Sequence, residues 1–398
     1  MNPVDNPYAP GAGTPPPELA GRDALVETAR VALERIRQRK PSKSLLLVGL
    51  RGVGKTVLLD HIREQAEARG IHTLRVEAPE LRSLPALLAP QLRLALLRLS
   101  RQEKARDLAR RALRGLAGFA KSLKVKYEDI EVGLDFDPEP GLADNGDLEN
   151  DLQDLLEAAG QAASAADTAL ALFIDELQYV EEAELAALIT ALHRTAQRRQ
   201  PVVLVGAGLP QLRGRMGAAK SYAERLFDFP DIGALPPEAA SQALVKPAAS
   251  QQVTFTEPAL KRILTETQGY PYFLQEWGKH TWDAASASPI TLDDVKRASV
   301  SALAALDESF FRVRFDRLTP QEKRYLRAMA DIGPGPHRSG DIAKRMKRGS
   351  SALVGPLREQ LIGKGMIWSP SHGDTAFTVP LFDEFMKRIM PGEDWKTE

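Results

Sequence analysis

The sequence predicts an α/β core built on a parallel sheet, followed by a helical segment and a small C-terminal domain of helices and a hairpin. Apolar runs at 45–48 and 170–174, with a third strand inside 201–212, suit strands buried on both faces, and helical patterns lie between them. From residue 236 the pattern is helical, and from residue 316 it changes to short helices separated by glycine. With 398 residues the chain is long enough for two or three domains.

The composition is that of an ordinary globular protein and excludes several kinds of chemistry. Hydrophobic residues make up 43% and charged residues 27%, and 53 Lys and Arg balance 53 Asp and Glu, so no net charge indicates a polyanionic partner. The lack of cysteine excludes disulfides, thiolate zinc sites and thiol catalysis, and the six histidines show no metal-ligand spacing. No signal-peptide pattern opens the chain, and its most apolar stretch carries arginines and is too short for a bilayer. We therefore expect a cytoplasmic protein without a membrane partner.

A phosphate-binding loop is predicted between the first strand and the helix after it. The residues from Gly49 to Thr56, GLRGVGKT, satisfy the pattern G-x-x-x-x-G-K-[ST] in the strand–loop–helix context that this motif requires. The glycines let backbone N–H groups turn toward phosphate oxygens, and the helix points its partial positive end at them. Lys55 would reach the β- and γ-phosphates, and the Thr56 hydroxyl would bind Mg²⁺. The residues predicted to contact ATP here are Gly49, Gly52, Val53, Gly54, Lys55, Thr56 and Val57.

Two acidic residues follow the apolar run at 170–174. Asp175 comes directly after this predicted strand and would hold Mg²⁺, usually through water. Glu176 beside it is the natural group to polarise an attacking water molecule. Together with the phosphate-binding loop, the pair predicts an ATP hydrolase that uses ATP and Mg²⁺, with Lys55, Asp175 and Glu176 as catalytic residues.

With these two motifs the sequence resembles the AAA+ superfamily of P-loop ATPases. Its greatest likeness is to the branch shared by origin-recognition-type initiators and the archaeal-type and signal-transduction ATPases. The resemblance implies a P-loop core at 23–235, a helical lid and linker helix at 236–315, and a winged-helix domain at 316–398. It also implies that the proline-rich leader at 1–22, including Arg22, packs on the adenine of ATP bound between core and lid.

Three further landmarks belong to this resemblance. Tyr270 and Pro271 match the Gly-x-Pro element with which the lid of such ATPases approaches the nucleotide. Arg225 stands where AAA+ subunits carry an arginine finger that enters a neighbour's site, which implies a homo-oligomer; an exposed arginine of no consequence is the alternative. The third strand usually ends in a polar residue that senses the γ-phosphate, but the sequence there is Gly206-Ala207-Gly208. The sensor is therefore expected to be absent, or displaced to Gln211.

The segment 81–160 is an insertion with its charges split in two. Residues 92–126 hold eleven Lys or Arg against two Asp or Glu, and residues 127–157 hold twelve Asp or Glu and no Lys or Arg. The first part suggests a helical arm with a basic face, and the stretch from Lys124 to Gly141 alternates like a pair of strands. The basic face would bind DNA phosphates, or dock on an acidic partner that includes the 127–157 segment of the next subunit, or simply be solvated.

The C-terminal pattern of three helices and a hairpin is typical of a winged helix. The first helix is predicted at Pro320–Ile332, Ser339 is expected to cap the second, and Ser350 and Ser351 are expected to cap the third. The third helix has few side chains suited to reading bases, so contact with the phosphate backbone is favoured over base readout. The candidate DNA-binding residues are Arg338, Lys344, Arg345, Lys347, Arg348, Ser350 and Ser351.

These features predict an ATP-dependent molecular switch. In the first hypothesis it binds double-stranded DNA through the winged helix, as a replication-initiator-like or mobile-element ATPase. In the second it is a signalling or defence-type ATPase whose winged helix docks protein and gates a partner effector. The sequence contains no effector segment of its own, so the second hypothesis requires a separate protein partner.

Overall fold

The computed structural model describes residues 1–11, 13–78, 82–124, 136–348 and 350–396. It divides into two compact units. One unit comprises residues 22–48 and 55–231, and we call it the core unit. The other comprises residues 1–21, 49–54 and 232–398, and we call it the C-terminal unit. The phosphate-binding loop, Gly49–Gly54, therefore makes its contacts within the C-terminal unit, whereas the residues after it begin a helix of the core unit.

A parallel sheet forms the centre of the core unit. Its neighbouring strands run in the order β2-β3-β4-β1-β5, and every pairing between these neighbours is parallel. All residues of β1, β3 and β4 are buried, as their apolar runs predict for strands covered on both faces. The strands are β1 Ser44–Gly49, β2 His72–Glu77, β3 Leu170–Asp175, β4 Val202–Gly208 and β5 Phe227–Asp228, and β6 Asp231–Ile232 follows where the chain passes from one unit into the other.

In the described part of the core unit, eight α-helices accompany this sheet. They are α1 Asp23–Arg37, α2 Lys55–Ala68, α3 Leu84–Leu99, α4 Arg106–Leu123, α5 Leu148–Ala165, α6 Glu182–Gln197, α7 Leu212–Ala219 and α8 Ala223–Leu226. Helix α2 follows β1 and α6 follows β3, so each predicted motif lies at the carboxyl end of a parallel strand. This is the edge at which open α/β sheets bind their ligands.

The charge-split insertion folds onto itself within the core unit. Helix α4 buries Leu113 and Phe119, while Arg106 and Arg110 remain exposed. The carboxylate of Glu139, from the acidic half, lies 2.6 Å from Arg114 Nε and forms the closest of these charge contacts. Part of the basic face is therefore neutralised inside one chain. The strand pair predicted from Lys124 to Gly141 falls largely on 125–135, outside the described residues.

The C-terminal unit is mainly helical and includes the N-terminal leader. Tyr8 is buried against Gly278, and its hydroxyl donates a hydrogen bond to the carbonyl oxygen of Leu244. The first eleven residues are thus held by the helices of this unit. A π-helical turn, Leu306–Phe311, joins α12 to α13. The helices are α9 Pro237–Ser250, α10 Glu257–Thr267, α11 Pro271–Ala284, α12 Leu292–Ala305, α13 Arg312–Asp316, α14 Pro320–Ile332, α15 Ser339–Arg345, α16 Gly355–Gly363 and α17 Phe382–Ile389.

A small antiparallel sheet accompanies the helices from α14 to α17. Its order is β7-β9-β8, and its strands are β7 His337–Arg338, β8 Ile367–Trp368 and β9 Asp374–Phe377. Helix α14 begins where the sequence predicts, because Thr319 and Glu322 form a reciprocal capping box. The predicted hairpin is present as β8 and β9.

Two predicted details of the helix caps in this region differ from the structure. Ser339 is the first residue of α15 rather than its cap, and its hydroxyl donates to the carbonyl oxygen of Gly373. Ser350 accepts a hydrogen bond from the N–H of Ala352, but it caps a 3₁₀ turn, Ser351–Leu353. The third α-helix therefore starts only at Gly355, where Pro356 takes an N-terminal position that proline tolerates.

Candidate active site

Glycine is required at three positions of the phosphate-binding loop. Gly52 and Gly54 have φ angles of 78° and 86°, in the left-handed region that residues with a Cβ rarely adopt. At Gly49 a Cβ atom would lie 2.1 Å from the carbonyl oxygen of Ile232. The loop can therefore take its shape only because these three residues lack side chains.

The loop is hydrogen-bonded to two parts of the C-terminal unit. The carbonyl oxygen of Gly52 accepts from the N–H of Tyr272 at 3.2 Å, at the start of α11. Tyr270 is the N-cap of this helix and Pro271 its first residue, so both predicted lid residues adjoin this contact. The N–H of Arg51 donates to the carbonyl oxygen of Thr378 at 3.1 Å, just after β9. The loop thus contacts both the start of α11 and the residue after β9.

Thr56 and Asp175 meet in the core unit. Thr56 lies in the first turn of α2, and its hydroxyl donates to Asp175 Oδ2 at 2.6 Å. The other oxygen, Oδ1, accepts the N–H of Glu176 at 2.9 Å. Asp175 is only 2% exposed, and burial raises the pKa of its carboxyl, an effect that the Thr56 hydrogen bond opposes. Lys55, one residue before Thr56, is also buried.

The residues at this point suit Mg²⁺ bound together with a nucleotide. Mg²⁺ is usually held by one or two carboxylates with substrate phosphates and water, and a threonine hydroxyl beside a buried carboxylate supplies the protein oxygens of such a site. In the described ranges no group of three or more His, Cys, Asp or Glu side chains could form a metal cage. Thr56 and Asp175 would hold the ion, which neutralises charge on the phosphates when bound.

Arg75 is a charged neighbour of Asp175 that the motifs do not include. Its Nη2 lies 3.9 Å from Asp175 Oδ2, and its Nε donates to Asp60 Oδ1 at 2.8 Å. Burial alone would raise the pKa of Asp60, but hydrogen bonds with Arg75 and Arg63 outweigh it and lower that pKa. The signal in the sequence is an arginine inside β2, the strand next to the one that ends in Asp175.

Glu176 is held by a glutamine two residues later. Its backbone is left-handed, with φ 54° and ψ 36°, and its Oε2 accepts a hydrogen bond from Gln178 Nε2. The Oε1 atom of Gln178 accepts the N–H of Leu209 at 3.0 Å, just beyond β4. Gln178 therefore joins Glu176 to the strand that usually carries a polar sensor.

The end of β4 has no space for that sensor. A Cβ atom on Gly206 would lie 2.3 Å from Leu177 Cδ1, and one on Gly208 would lie 2.8 Å from Gln178 Oε1. The expectation of a missing sensor at this position therefore has a steric cause. Gln211, the suggested replacement, has a buried Oε1 atom without a hydrogen-bond partner in the ranges that the structure covers.

Arg22 and Arg225 occupy different environments in the core unit. Arg22 is the N-cap of α1 and is nearly buried, and burial lowers the pKa of its guanidinium. Arg225 is exposed on the short helix α8, immediately before β5. Its side chain makes no ion pair within the part of the chain that is described. Arg225 is thus accessible to another molecule.

The basic cluster predicted to bind DNA is exposed but has acidic or polar neighbours. Arg338 lies 3.0 Å from Asp374, Lys344 lies 3.6 Å from Asp341, and Arg345 pairs with Asp331. Arg348 donates to Gln321 at 3.1 Å, and Lys347 has a left-handed φ of 55°. Ser350 and Ser351 are exposed beside them.

Two family models match parts of the sequence. One, described as an AAA ATPase domain, matches residues 18–205, which include both the phosphate-binding loop and the Asp175–Glu176 pair. This part of the chain is similar to AAA ATPase domains. The protein is an ATP hydrolase, as its two motifs predict. The other model is described as a domain of unknown function (DUF8462) and matches residues 308–386. No curated protein matches the chain.

Several solved structures are similar to this chain. The Walker-type ATPase PABY2304 of Pyrococcus abyssi is similar with a TM-score of 0.58 and 15% identity, over 94% of this chain and 97% of that one. The Orc1 protein of Aeropyrum pernix, solved in complex with DNA, has a TM-score of 0.48 and 14% identity, over 94% of each chain. The RuvB Holliday junction branch migration motor of Thermotoga maritima has a TM-score of 0.43 and 18% identity, over 90% of this chain and 92% of its own. The first likeness confirms the predicted α/β P-loop core with a helical C-terminal region.

Across the described residues, no helix has the length and apolar character needed to cross a bilayer.

Proposed function

We propose that the protein is an ATP-driven switch whose C-terminal domain, 316–398, is a winged helix that binds the phosphate backbone of double-stranded DNA. The observation that carries this proposal is the exposed basic cluster around α15. The side chains of Arg338 and Lys344 are 69% and 82% exposed, although each has an acidic neighbour. Surface ion pairs of this kind contribute about 0–1 kcal/mol, so DNA phosphates can replace the acidic partners at little cost.

The same domain favours backbone contact over base readout. Arg358, the basic side chain of α16, donates to Thr375 Oγ1 and to the carbonyl oxygen of Asp374, both at 3.1 Å. It is therefore engaged with β9 rather than free to reach a base edge. Glu359 and Gln360 are the exposed polar side chains of α16, and the glutamate would repel phosphates. We infer binding with a strong salt dependence and little sequence preference.

Contacts of the phosphate-binding loop support a link between ATP and the C-terminal domain. The N–H of Arg51 donates to the carbonyl oxygen of Thr378, the residue directly after β9. Strand β9 is also the strand to which Arg358 donates its hydrogen bonds. Arg51 Nε also approaches the carbonyl oxygen of Gly365, at the end of α16, to 3.4 Å. A change in the loop when nucleotide binds would therefore alter contacts with the DNA-binding domain. Mg²⁺ would take part through Thr56 and Asp175.

The test is duplex binding by the double variant Lys344→Glu with Lys347→Glu. Both lysines lie near the end of α15, and we expect the affinity for a duplex of arbitrary sequence to fall at least about tenfold at 0.1 M salt. The slope of log affinity against log salt should become shallower by about two, one for each lysine that no longer neutralises a phosphate. Fluorescence anisotropy over a salt series measures both quantities.

The matched control is Lys261→Glu with Lys296→Glu. These lysines are exposed on α10 and α12 and change the total charge by the same amount. The control should bind DNA like the unaltered protein. Equal affinity and equal salt slope for the two double variants would contradict DNA binding by the α15 cluster.

A second candidate function, docking of a protein effector, is favoured by the face next to this cluster. Leu353 is 59% exposed, and Ala352 and Pro356 beside it are exposed as well. Exposed apolar side chains on one turn suit a protein interface better than a phosphate backbone. In this case duplex DNA would leave the rate of ATP hydrolysis unchanged, and Leu353→Asp would abolish binding of the effector.

A further inference from the structure

Gln178 is a buried residue fixed at both ends of its side chain and at its backbone. It is 3% exposed and lies on a 3₁₀ turn, Leu177–Tyr179, directly after Glu176. Its Nε2 donates to Glu176 Oε2, and its Oε1 accepts the N–H of Leu209 at 3.0 Å. Its own carbonyl oxygen accepts from Arg215 Nη1. Neither the phosphate-binding motif nor the acidic pair includes this residue.

The contact with Leu209 determines which way the Gln178 amide faces. A backbone N–H can only donate, so it requires the amide oxygen, and the amide nitrogen must then point the other way, toward Glu176. Arg215 holds the same turn a second time, because its Nη2 donates to the carbonyl oxygen of Val180 at 2.6 Å. The donor to Glu176 is thus fixed in both identity and direction by β4 and α7.

One oxygen of Glu176 is held and the other remains available. The carboxylate accepts Gln178 Nε2 through Oε2, while Oε1 has no hydrogen-bond partner within the described ranges. A general base needs a free oxygen at a defined position to receive the proton of water. A carboxylate anchored by one oxygen presents the other in a fixed direction, which reduces the entropic cost of positioning the water.

We propose that Gln178 is a positioning residue for ATP hydrolysis that orients the Glu176 carboxylate. Its amide lies beside the end of β4, where the sequence Gly206-Ala207-Gly208 offers no polar side chain. The proposal rests on the assignment of Glu176 as the group that polarises water. It also explains glycine at 208, because a Cβ there would lie 2.8 Å from Gln178 Oε1. Gly208 thus leaves room for the Gln178 amide, which donates its hydrogen bond to Glu176.

The variant Gln178→Glu separates positioning from folding. A glutamate keeps the oxygen that accepts the N–H of Leu209 and keeps nearly the same volume. It replaces the donor to Glu176 with a carboxylate oxygen, which accepts hydrogen bonds but cannot donate one to hold the Glu176 carboxylate. We expect kcat at pH 7 to fall about tenfold to a hundredfold, which is at most the lower end of the roughly 10²–10⁴-fold contribution of a general base, while the Kd for ATP changes less than twofold.

Two controls accompany this measurement. Gln197→Glu makes the same chemical change on the exposed end of α6 and should leave kcat and its pH profile unchanged. In the Glu176→Gln background, Gln178→Glu should cause no further reduction of kcat, because the proposed effect acts only through the Glu176 carboxylate.

Three results would overturn the proposal. The first is an unchanged kcat in Gln178→Glu. The second is an equal reduction of kcat by Gln178→Glu whether position 176 is Glu or Gln, and the third is a weakening of ATP affinity large enough to account for the whole effect. Full turnover by the single variant Glu176→Gln would instead show that the assignment of Glu176 is wrong. Because this variant leaves Gln178 unaltered, failure of the Glu176 assignment can be distinguished from failure of the Gln178 proposal.

Discussion

At the scale of single residues, Arg75 is a nearby positive charge that favours the ionised form of the Asp175 carboxylate. Asp175 is buried, and burial raises its pKa, so the ionised form that binds Mg²⁺ is disfavoured. Arg75, with Nη2 3.9 Å from Oδ2, acts in the opposite direction because a nearby positive charge favours the anion. Asp60 in turn holds the guanidinium in place. Arg75 therefore helps to keep Asp175 ionised near neutral pH.

The variant Arg75→Leu should move the acid limb of ATP hydrolysis to higher pH. Removing the cation raises the pKa of Asp175 further, so a higher pH is needed to ionise it, and turnover at the acidic end falls while turnover at high pH is retained. We expect the displacement in this direction to be modest, since Arg75 is partly exposed to solvent, which screens its charge. The measurement is the kcat–pH profile at saturating ATP and Mg²⁺.

Arg63→Leu is the matched control for this prediction. Arg63 Nε approaches Asp60 Oδ1 to 3.3 Å, but it makes no ion pair with Asp175 in the described part of the chain. Its removal should leave the acid limb where it is. An identical profile for Arg75→Leu and the unaltered protein would show that Arg75 has no effect on Asp175.

At the scale of elements, strand β4 depends on glycine at its carboxyl end. Gly206 lies under Leu177 and Leu46, and a Cβ there would approach their methyl groups to 2.3 Å and 2.7 Å. The strand can therefore lie this close to the turn after Glu176 only without a side chain at this position. The close packing of β4 against the turn after Glu176 leaves no room for a side chain at this position, and it also brings the Gln178 amide within hydrogen-bond distance of Leu209.

We expect Gly206→Ala to lower the free energy of unfolding by about 1–3 kcal/mol, because an added methyl group in a close-packed core forces its neighbours to move. Thermal or denaturant unfolding measures this change. Gly217→Ala is the control, since Gly217 lies inside α7 with nothing within 4 Å of a Cβ. That change should be neutral or stabilise by roughly 0.5–1 kcal/mol. Similar stability for both variants would refute the steric argument.

The elements also show which features the sequence could predict. The strands β1, β3 and β4 and the loop between β1 and α2 were predictable, because apolar runs and the G-x-x-x-x-G-K-[ST] pattern are local signals. The contacts of Gln178 with Leu209 and of Arg75 with Asp175 join residues that are far apart in the chain, and no spacing rule connects them. The predicted start of α16 is wrong because Ser350 caps a 3₁₀ turn, and a serine cap looks the same in sequence before either kind of helix.

At the scale of the whole molecule, charge balance is achieved partly by folding the insertion onto itself. The basic α4 and the acidic segment after it would each be a strongly charged surface if exposed. Glu139 lies between Arg111 and Arg114, at 3.7 Å and 2.6 Å, and Asp151 is buried where it accepts the N–H groups of Asn145 and Gly146. Glu139 and Asp151 thus have structural partners in their own chain, while other basic side chains of this segment, among them Arg106 and Arg110, remain exposed.

The exposed Arg225 bears on whether the protein works as an assembly. An arginine finger stabilises the charge on the phosphates during hydrolysis, and it can come from the same chain or from a neighbouring molecule. We propose that Arg225 serves the site of an adjacent subunit. Turnover per subunit should then rise with protein concentration, and Arg225→Ala should lower the plateau by about a thousandfold, the lower end of the effect of such a residue.

Mixing two strongly impaired variants separates action in trans from action within one subunit. Arg225→Ala keeps an intact site with Glu176, and Glu176→Gln keeps Arg225. If Arg225 acts in trans, a mixed assembly contains junctions in which the Arg225 of one subunit meets the complete site of the other, so the mixture hydrolyses ATP much faster than either variant alone. For random equimolar mixing the expected maximum is about a quarter of the unaltered rate. At each junction about half of the sites have an intact Glu176 and about half of the neighbours supply an intact Arg225, and both are needed. A mixture no more active than its separate components would show that Arg225 does not complete a neighbour's site, because every other requirement for hydrolysis is present in it.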